Sequence, residues 1–144
     1  MNLSIRQAAL SELTELLALL NECELPLEGV AEHLRGFLVA RDGEALLGVV
    51  GLERYDDVGL LRSLAVSPKV RGRGVGGKLV KALMDGARKG NIRAVYLLTE
   101  TAESFFPRFG FETIPRAALD ARLEASRELQ GVCGESAVAM RLEF

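Results

Sequence analysis

Between Val70 and Leu79 the chain reads Arg-Gly-Arg-Gly-Val-Gly-Gly-Lys, four glycines set among basic residues. From Gly76 to Lys89 the apolar residues Leu79, Val80, Leu83, Met84 and Ala87 recur at helical spacing, so this turn leads into an amphipathic helix. The first amides of such a helix have no acceptor inside it and lie at the positive end of its dipole. With no side chains at Gly72, Gly74, Gly76 and Gly77, an anion can approach the backbone closely. The ligand expected there is a phosphate or pyrophosphate.

Three glycine patterns overlap here. Gly72-x-Gly74-x-x-Gly77 has the spacing of a dinucleotide fingerprint, but that pattern follows a strand directly, and Ser67-Pro-Lys-Val-Arg71 intervenes after the apolar run ending at Val66. Gly72-x-x-x-x-Gly77-Lys78 opens like a nucleotide-phosphate loop. Leu79, however, stands where a magnesium-binding hydroxyl is required. The third pattern, Arg71-x-x-Gly74-x-Gly76, is preceded by Leu64-Ala-Val-x-Pro68.

The elements that must position this turn can be read from periodicity. Leu3 and Ile5 alternate with polar neighbours as a short strand. Ser11 is placed to cap a helix bearing Leu13, Leu16, Leu17 and Leu20. Leu25-Pro26 ends it, and residues 27–35 suggest a second short helix containing the one histidine, His33, either solvated or a substrate-facing base. Residues 37–41 and 45–54 flank Asp42-Gly43 as a hairpin, and residues 58–66 return as a third strand of a meander. Ala94 to Thr99 reads as a further strand, joined through the glycine-turn helix by a right-handed crossover to a parallel neighbour. Helical character is expected again over residues 120–130, and Val138, Met140, Leu142 and Phe144 alternate as a last strand.

With these elements in place, the third pattern resembles the acetyl-coenzyme A motif of the GNAT superfamily of N-acetyltransferases. Thr101-Ala-Glu-Ser-Phe-Phe-Pro-Arg-Phe-Gly-Phe111 resembles the GNAT segment that ends in Gly-Phe beside the thioester. The resemblance implies an α/β fold, with one GNAT domain over residues 1–144 and a mixed, mostly antiparallel central sheet flanked by helices. It implies acetyl-coenzyme A as cosubstrate, lying where two parallel strands part after Val66 and Leu98. On the same resemblance the main chain of Leu64, Ala65 and Val66 pairs with pantetheine, and an amide near Val66 faces the oxyanion. Arg71, Gly72, Arg73, Gly74, Val75, Gly76 and Gly77 hold the pyrophosphate, and Phe105 and Phe106 lie beside the thioester. The family's usual tyrosine is Phe106 here, so protonation of the leaving thiolate falls to water or another group. A thiolate of pKa ~8.5 needs little such help.

Leu60 is apolar where some histone-modifying members carry a glutamate. Glu53, near the end of the neighbouring strand, is the candidate catalytic carboxylate, relaying the amine proton through water, or else a solvated strand end. Leu98-Thr-x-Thr101-Ala-x-x-Phe105-Phe106-x-x-x-Gly-Phe111 resembles the acetyltransferase domain of N-acetylglutamate synthases. Leu61-Leu-Arg-Ser-Leu-Ala-Val66, Pro115-Arg-Ala-Ala118 and Cys133…Ser136-Ala-Val138 resemble small acetyltransferases associated with arsenic-resistance operons. Both imply an amino-acid-like acceptor, glutamate-like or containing arsenic or phosphorus. Arg62, Arg116 and Arg127 become candidates to hold its acid group, since a guanidinium makes two parallel bonds to a carboxylate or arsonate; the alternative for each is a surface ion pair.

Composition bounds the remaining choices. The chain has 144 residues, 49% of them apolar and 26% charged, the values of one globular domain, with no apolar run long enough for a membrane span. Its N-terminal residues do not resemble a signal peptide, and a cytoplasmic location is expected. A formal net charge of −2 argues against nucleic acid as partner, while Lys69, Arg71, Arg73, Lys78 and Lys81 suit a small anion. Cys23 and Cys133 lack metal-ligand spacing, so inert thiols and no metal are expected. The partner is then a small-molecule amine; the oligomeric state is open, homodimers being the commonest assembly. A module that senses acetyl-coenzyme A without transferring it is the alternative to an enzyme.

Overall fold

Seven strands form a single sheet among the described residues, and the computed structural model describes residues 1–132 and 136–144 of the chain. The strands are β1 (Ser4–Gln7), β2 (Phe37–Asp42), β3 (Ala45–Tyr55), β4 (Val58–Val66), β5 (Ala94–Thr99), β6 (Glu112–Ile114) and β7 (Val138–Glu143). They lie side by side in the order β1-β2-β3-β4-β5-β7-β6. All neighbours are antiparallel except β4 and β5, which run parallel. Two helices, α1 (Leu13–Glu22) and α2 (Val75–Lys89), complete the layers.

Adjacent residues of β3 face opposite sides, as the pleat demands, and this divides the core. Val50 packs with Leu79, Val80, Leu83 and Met84 of α2, whereas Val49 packs with Leu16, Leu19 and Leu20 of α1. Full burial of each such side chain is worth roughly 1.5–3 kcal/mol, so α2 is held by its apolar stripe rather than by propensity. The approach of α2 to the sheet is close. A Cβ on Gly48 would lie 2.9 Å from a Leu79 methyl and 3.1 Å from the Ala65 carbonyl oxygen.

The meander, the crossover and the strand limits at 58–66 and 94–99 match the periodicity. Other expectations need correction. Ser11 does not cap α1; Leu10–Glu12 forms a 3-10 turn, and Glu12 instead accepts a bond from the Ala9 amide at 2.8 Å. The second short helix is reduced to 3-10 turns over Ala31–Gly36, interrupted at His33. The helix expected over residues 120–130 is a 3-10 segment, Ala121–Ala125, then extended backbone at Ser126 and a π-turn over Glu128–Val132. The edge strand β6 is too short to show alternation. Cys133 lies outside the described residues. Among those described, no helix is long and apolar enough to cross a membrane.

Glu12 ties the first strand to the first hairpin. Its buried carboxylate receives Arg6 at 2.7 and 2.9 Å and Arg41 Nε at 2.7 Å, and Arg41 also binds Glu15. The Arg6 bond is the main reason its pKa falls from 4.5 to about 2, against the opposing effect of burial. A depressed carboxylate stabilises the fold fully above its unfolded pKa and loses that contribution as pH falls toward the folded one. Denaturation midpoints are therefore expected to drop between about pH 4.5 and pH 2. Glu12→Gln should lower stability by about 2 kcal/mol at neutral pH and flatten that acid limb, as urea titrations at several pH values will read.

Candidate functional site

The parallel pairing of β4 with β5 runs from Val58 opposite Ala94 to Leu61 opposite Leu97 and stops there. Both strands continue, to Val66 and Thr99, so they part earlier than the expected points at Val66 and Leu98. The cause lies on β4. Ser63 adopts φ +61°, a left-handed conformation unusual for a residue with a side chain, and the register with β3 shifts between Val49 and Gly51. Ser63 is this bulge, and it turns the end of β4 away from β5.

A cavity of about 410 Å³ opens in the gap, lined by Leu61, Arg62 and Ser63 from β4 and by Leu98, Thr99, Glu100 and Thr101 beyond the paired part of β5. The loop after α1 closes another side with Cys23 and Glu24, and Glu128 and Ala137 come from the C-terminal segments. Cys23 is thus half-buried in a cavity wall, with its thiol 3.8 Å from the Val66 carbonyl.

The glycine turn stands at the other end of the unpaired stretch of β4. Gly72 and Gly74 have φ of +84° and +81°, which glycine adopts without cost, and a Cβ at either position would meet nothing within 4 Å. Along residues 71–78, the Arg73 amide donates to Val70 and the Lys78 amide to Gly74. No other amide of that stretch has a backbone acceptor among the described residues. The amides of Val75, Gly76 and Gly77 begin α2 behind Gly74, which supplies no capping side chain. A Cβ on Gly76 would sit 3.5 Å from Val66 and 3.7 Å from Phe105, so these three expected residues do meet. Arg71 is exposed and folds back, its Nε 3.2 Å from the Val66 carbonyl oxygen. Leu64 and Val66 are partly buried toward α2, Ala65 is buried on the α1 side, and Arg73 is exposed.

Phe105 precedes a single 3-10 turn, Phe106–Phe109, which contains Pro107 and is closed by Gly110 at φ +100°. Phe106 is buried edge-on against Phe111 at 5.7 Å. It is a core residue and not among the residues that line the cavity.

The three expected arginines do not converge. Arg127 is exposed and 3.4 Å from Glu32, and Arg116 is exposed with Nη1 3.1 Å from the Ala137 carbonyl oxygen. Arg62 alone reaches the cavity wall, and its side chain is only 1% exposed. Its Nη1 donates to Glu53 at 2.8 Å and to the Glu28 carbonyl at 2.6 Å, Nη2 to the Pro26 carbonyl at 3.2 Å, and Nε to Ser63 Oγ at 2.9 Å. Glu128 Oε1 lies 3.1 Å from the same Nε.

Glu53 is no solvated strand end. It is fully buried, accepting from Tyr55 Oη at 2.6 Å as well as from Arg62, with His33 Nε2 at 3.7 Å. Burial pushes its pKa up, but bonds from Ser126, Tyr55 and Arg62 outweigh burial and hold it below the usual range. Glu53 does not line the cavity, whereas Arg62, its hydrogen-bond partner, does. His33, expected to be solvated or a base, is half-buried and tilts against Tyr55 at 5.9 Å. Ser63, Ser126 and Glu128 were not anticipated. The polar pair Arg62-Ser63 inside an apolar strand was the one available sign of the bulge.

A family model described as an acetyltransferase (GNAT) domain matches residues 33–113. The amino-acid acetyltransferase of Mycobacterium tuberculosis is 32% identical over 96 residues, which is 64% of this chain and 55% of that protein. The fold is similar to N-acetylglutamate synthase from Neisseria gonorrhoeae complexed with coenzyme A and N-acetyl-glutamate. There the TM-score is 0.84 at 24% identity, over 99% of this chain and 35% of that one. A Mycobacterium tuberculosis structure in complex with CoA and NLQ gives a TM-score of 0.80 at 24% identity, over 98% and 99% of the two chains. The chain therefore spans about half of the curated relative and a third of the Neisseria chain.

Arg62→Met is expected to lower stability by about 3–5 kcal/mol, because it strips two buried carboxylates of their counter-ion. Adding Glu53→Gln should recover part of that loss. Urea midpoints of the single and double variants measure the coupling, and strictly additive losses would show that the pair does not interact.

Proposed function

The chain belongs to the GNAT acetyltransferase family, and from that premise we propose that it moves the acetyl group of acetyl-coenzyme A to the amine of a small amino-acid-like acceptor. One observation carries the reading. A row of uncommitted amides at the start of α2 and the unpaired length of β4 lead to one cavity between parted strands. The coenzyme A complexes of two fold relatives support this cosubstrate, and the name of the mycobacterial relative supports an amino-acid acceptor. We take residues 1–144 as one domain.

In this reading Arg71 to Gly77 receive the pyrophosphate on main-chain amides, with Arg73 adding charge. Gly76, lacking a side chain, leaves the slot between Val66 and Phe105 open for the pantetheine arm, which pairs with Leu64 to Val66. The neutral amine attacks the thioester carbonyl, and the carbonyl electrons move to an oxyanion facing an amide near Val66. Collapse breaks the carbon–sulfur bond, the thiolate leaves with its electron pair, and the nitrogen gives up its extra proton to water. Phe106 offers no hydroxyl, so solvent protonates the thiolate; at pKa ~8.5 the thiolate leaves without an enzymic acid. Holding the reactants in line supplies about 7–11 kcal/mol of the barrier reduction.

Phe106 is also what favours the second reading, a module that binds acetyl-coenzyme A without transfer. Calorimetry with acetyl-coenzyme A, followed by thiol release with glutamate, other amino acids and their arsenic- and phosphorus-containing analogues, separates the two. Binding with no turnover on any amine supports the sensor; no binding defeats both.

Gly76→Val should raise KM for acetyl-coenzyme A at least tenfold, about 1.4 kcal/mol, by filling the slot beside Val66 and Phe105. Steady-state kinetics at saturating amine check this, and an unchanged KM would put the cofactor elsewhere.

A further inference from the structure

The ionisable groups lining the cavity are strongly one-sided. Glu24, Glu100 and Glu128 stand on its wall, and Arg62 is the one guanidinium or ammonium group among the described lining residues. That guanidinium is committed. Glu53 and Glu128 both lie within 3.1 Å of it, and three further acceptors take its remaining directions. Glu128 is itself buried, so its charge is poorly screened by water, while Glu24 and Glu100 are exposed at the rim. Ser63, Thr99 and Thr101 supply hydroxyls but no positive charge.

A dicarboxylate acceptor would bring its second acid into this wall with no uncommitted guanidinium among the described lining residues to meet it, and would come close to Glu128. Like charges at such separations raise the energy of the bound state, whereas an ammonium group lowers it. Resting on the transfer reading above, we propose that the acceptor is an amine without net negative charge, such as a neutral or cationic amino acid. Glu128 and the rim carboxylates select it against dicarboxylates. The acceptor enters as its ammonium form, is drawn to the carboxylate wall, and releases one proton to water before attack. The acidic wall is a specificity device; Arg62 serves to hold Glu128 and Glu53 in place rather than to grip the acceptor's acid.

Glutamate, glutamine and lysine form a suitable series, since glutamine differs from glutamate chiefly by an uncharged amide and lysine adds a cation. Thiol release at fixed acetyl-coenzyme A is expected to give kcat/KM at least tenfold higher for glutamine than for glutamate, with lysine at or above glutamine. Glu100→Gln, an exposed and structurally undemanding change, should narrow the glutamine-to-glutamate ratio two- to threefold, and Glu128→Gln should narrow it further. Glutamate as the best of the three, or ratios unmoved in Glu100→Gln and Glu128→Gln together, would overturn the inference while leaving acetyl transfer intact. Turnover with none of the three, under conditions where acetyl-coenzyme A binds, would instead defeat the transfer reading and this inference with it.

Discussion

β4 has to leave β5 after Leu61, and the rest of the architecture follows from that parting. Two parallel strands with apolar faces would ordinarily stay paired to their ends, satisfying every amide and carbonyl on the shared edge. Ser63 prevents it by taking a left-handed backbone in mid-strand, a conformation whose cost the surrounding structure must offset. The offset is visible in Arg62, whose guanidinium joins the bulge hydroxyl to Glu53 on β3, to Glu128 near the C-terminus and to the carbonyls of Pro26 and Glu28 in the loop after α1. One buried cation therefore fixes the bulge and gathers around the cavity three segments that are remote in sequence.

The two ends of the unpaired stretch have opposite electrostatic character. At one end α2 starts behind Gly74 with bare amides and neighbouring Arg71, Arg73 and Lys78, a positive surface made mostly of backbone. At the other the wall is lined by carboxylates. On the reading proposed above, the anionic cosubstrate meets the amide end and the non-anionic acceptor meets the carboxylate wall. In that reading main-chain dipoles serve the multiply charged phosphate and side chains choose the acceptor.

Much of this was legible in the sequence where the pattern was local. The apolar run from Val58 to Val66, Asp42-Gly43 between two apolar stretches, and the stripe from Leu79 to Ala87 are each set by near neighbours, and the structure has them where the sequence pattern puts them. The glycine turn was legible for the same reason, since positive φ at Gly72 and Gly74 is a property of those residues alone. What was not legible is tertiary. Residues 120–130 read as a helical stretch. In the fold Ser126 is extended and fully buried, its hydroxyl bonded to Glu53 seventy-three positions earlier. Glu53 looked like a solvated end because its partners, Arg62, Tyr55, His33 and Ser126, are brought to it by the sheet and by two irregular segments. Likewise, Arg62 looked free to hold a ligand until Glu128 and Glu53 were seen on it.

The main-chain amides at the start of α2 and along the free length of β4 are the structural basis of the proposed chemistry, and they can be observed one by one. Amide chemical shifts of uniformly labelled protein, followed through a titration with acetyl-coenzyme A, give that observation most directly. Saturable shifts confined mainly to residues 64–66 and 71–77, with the same midpoint for both groups, are the predicted result. Shifts that leave these residues unmoved and cluster around the separate groove lined by His33, Leu52 and Gly86 would contradict it.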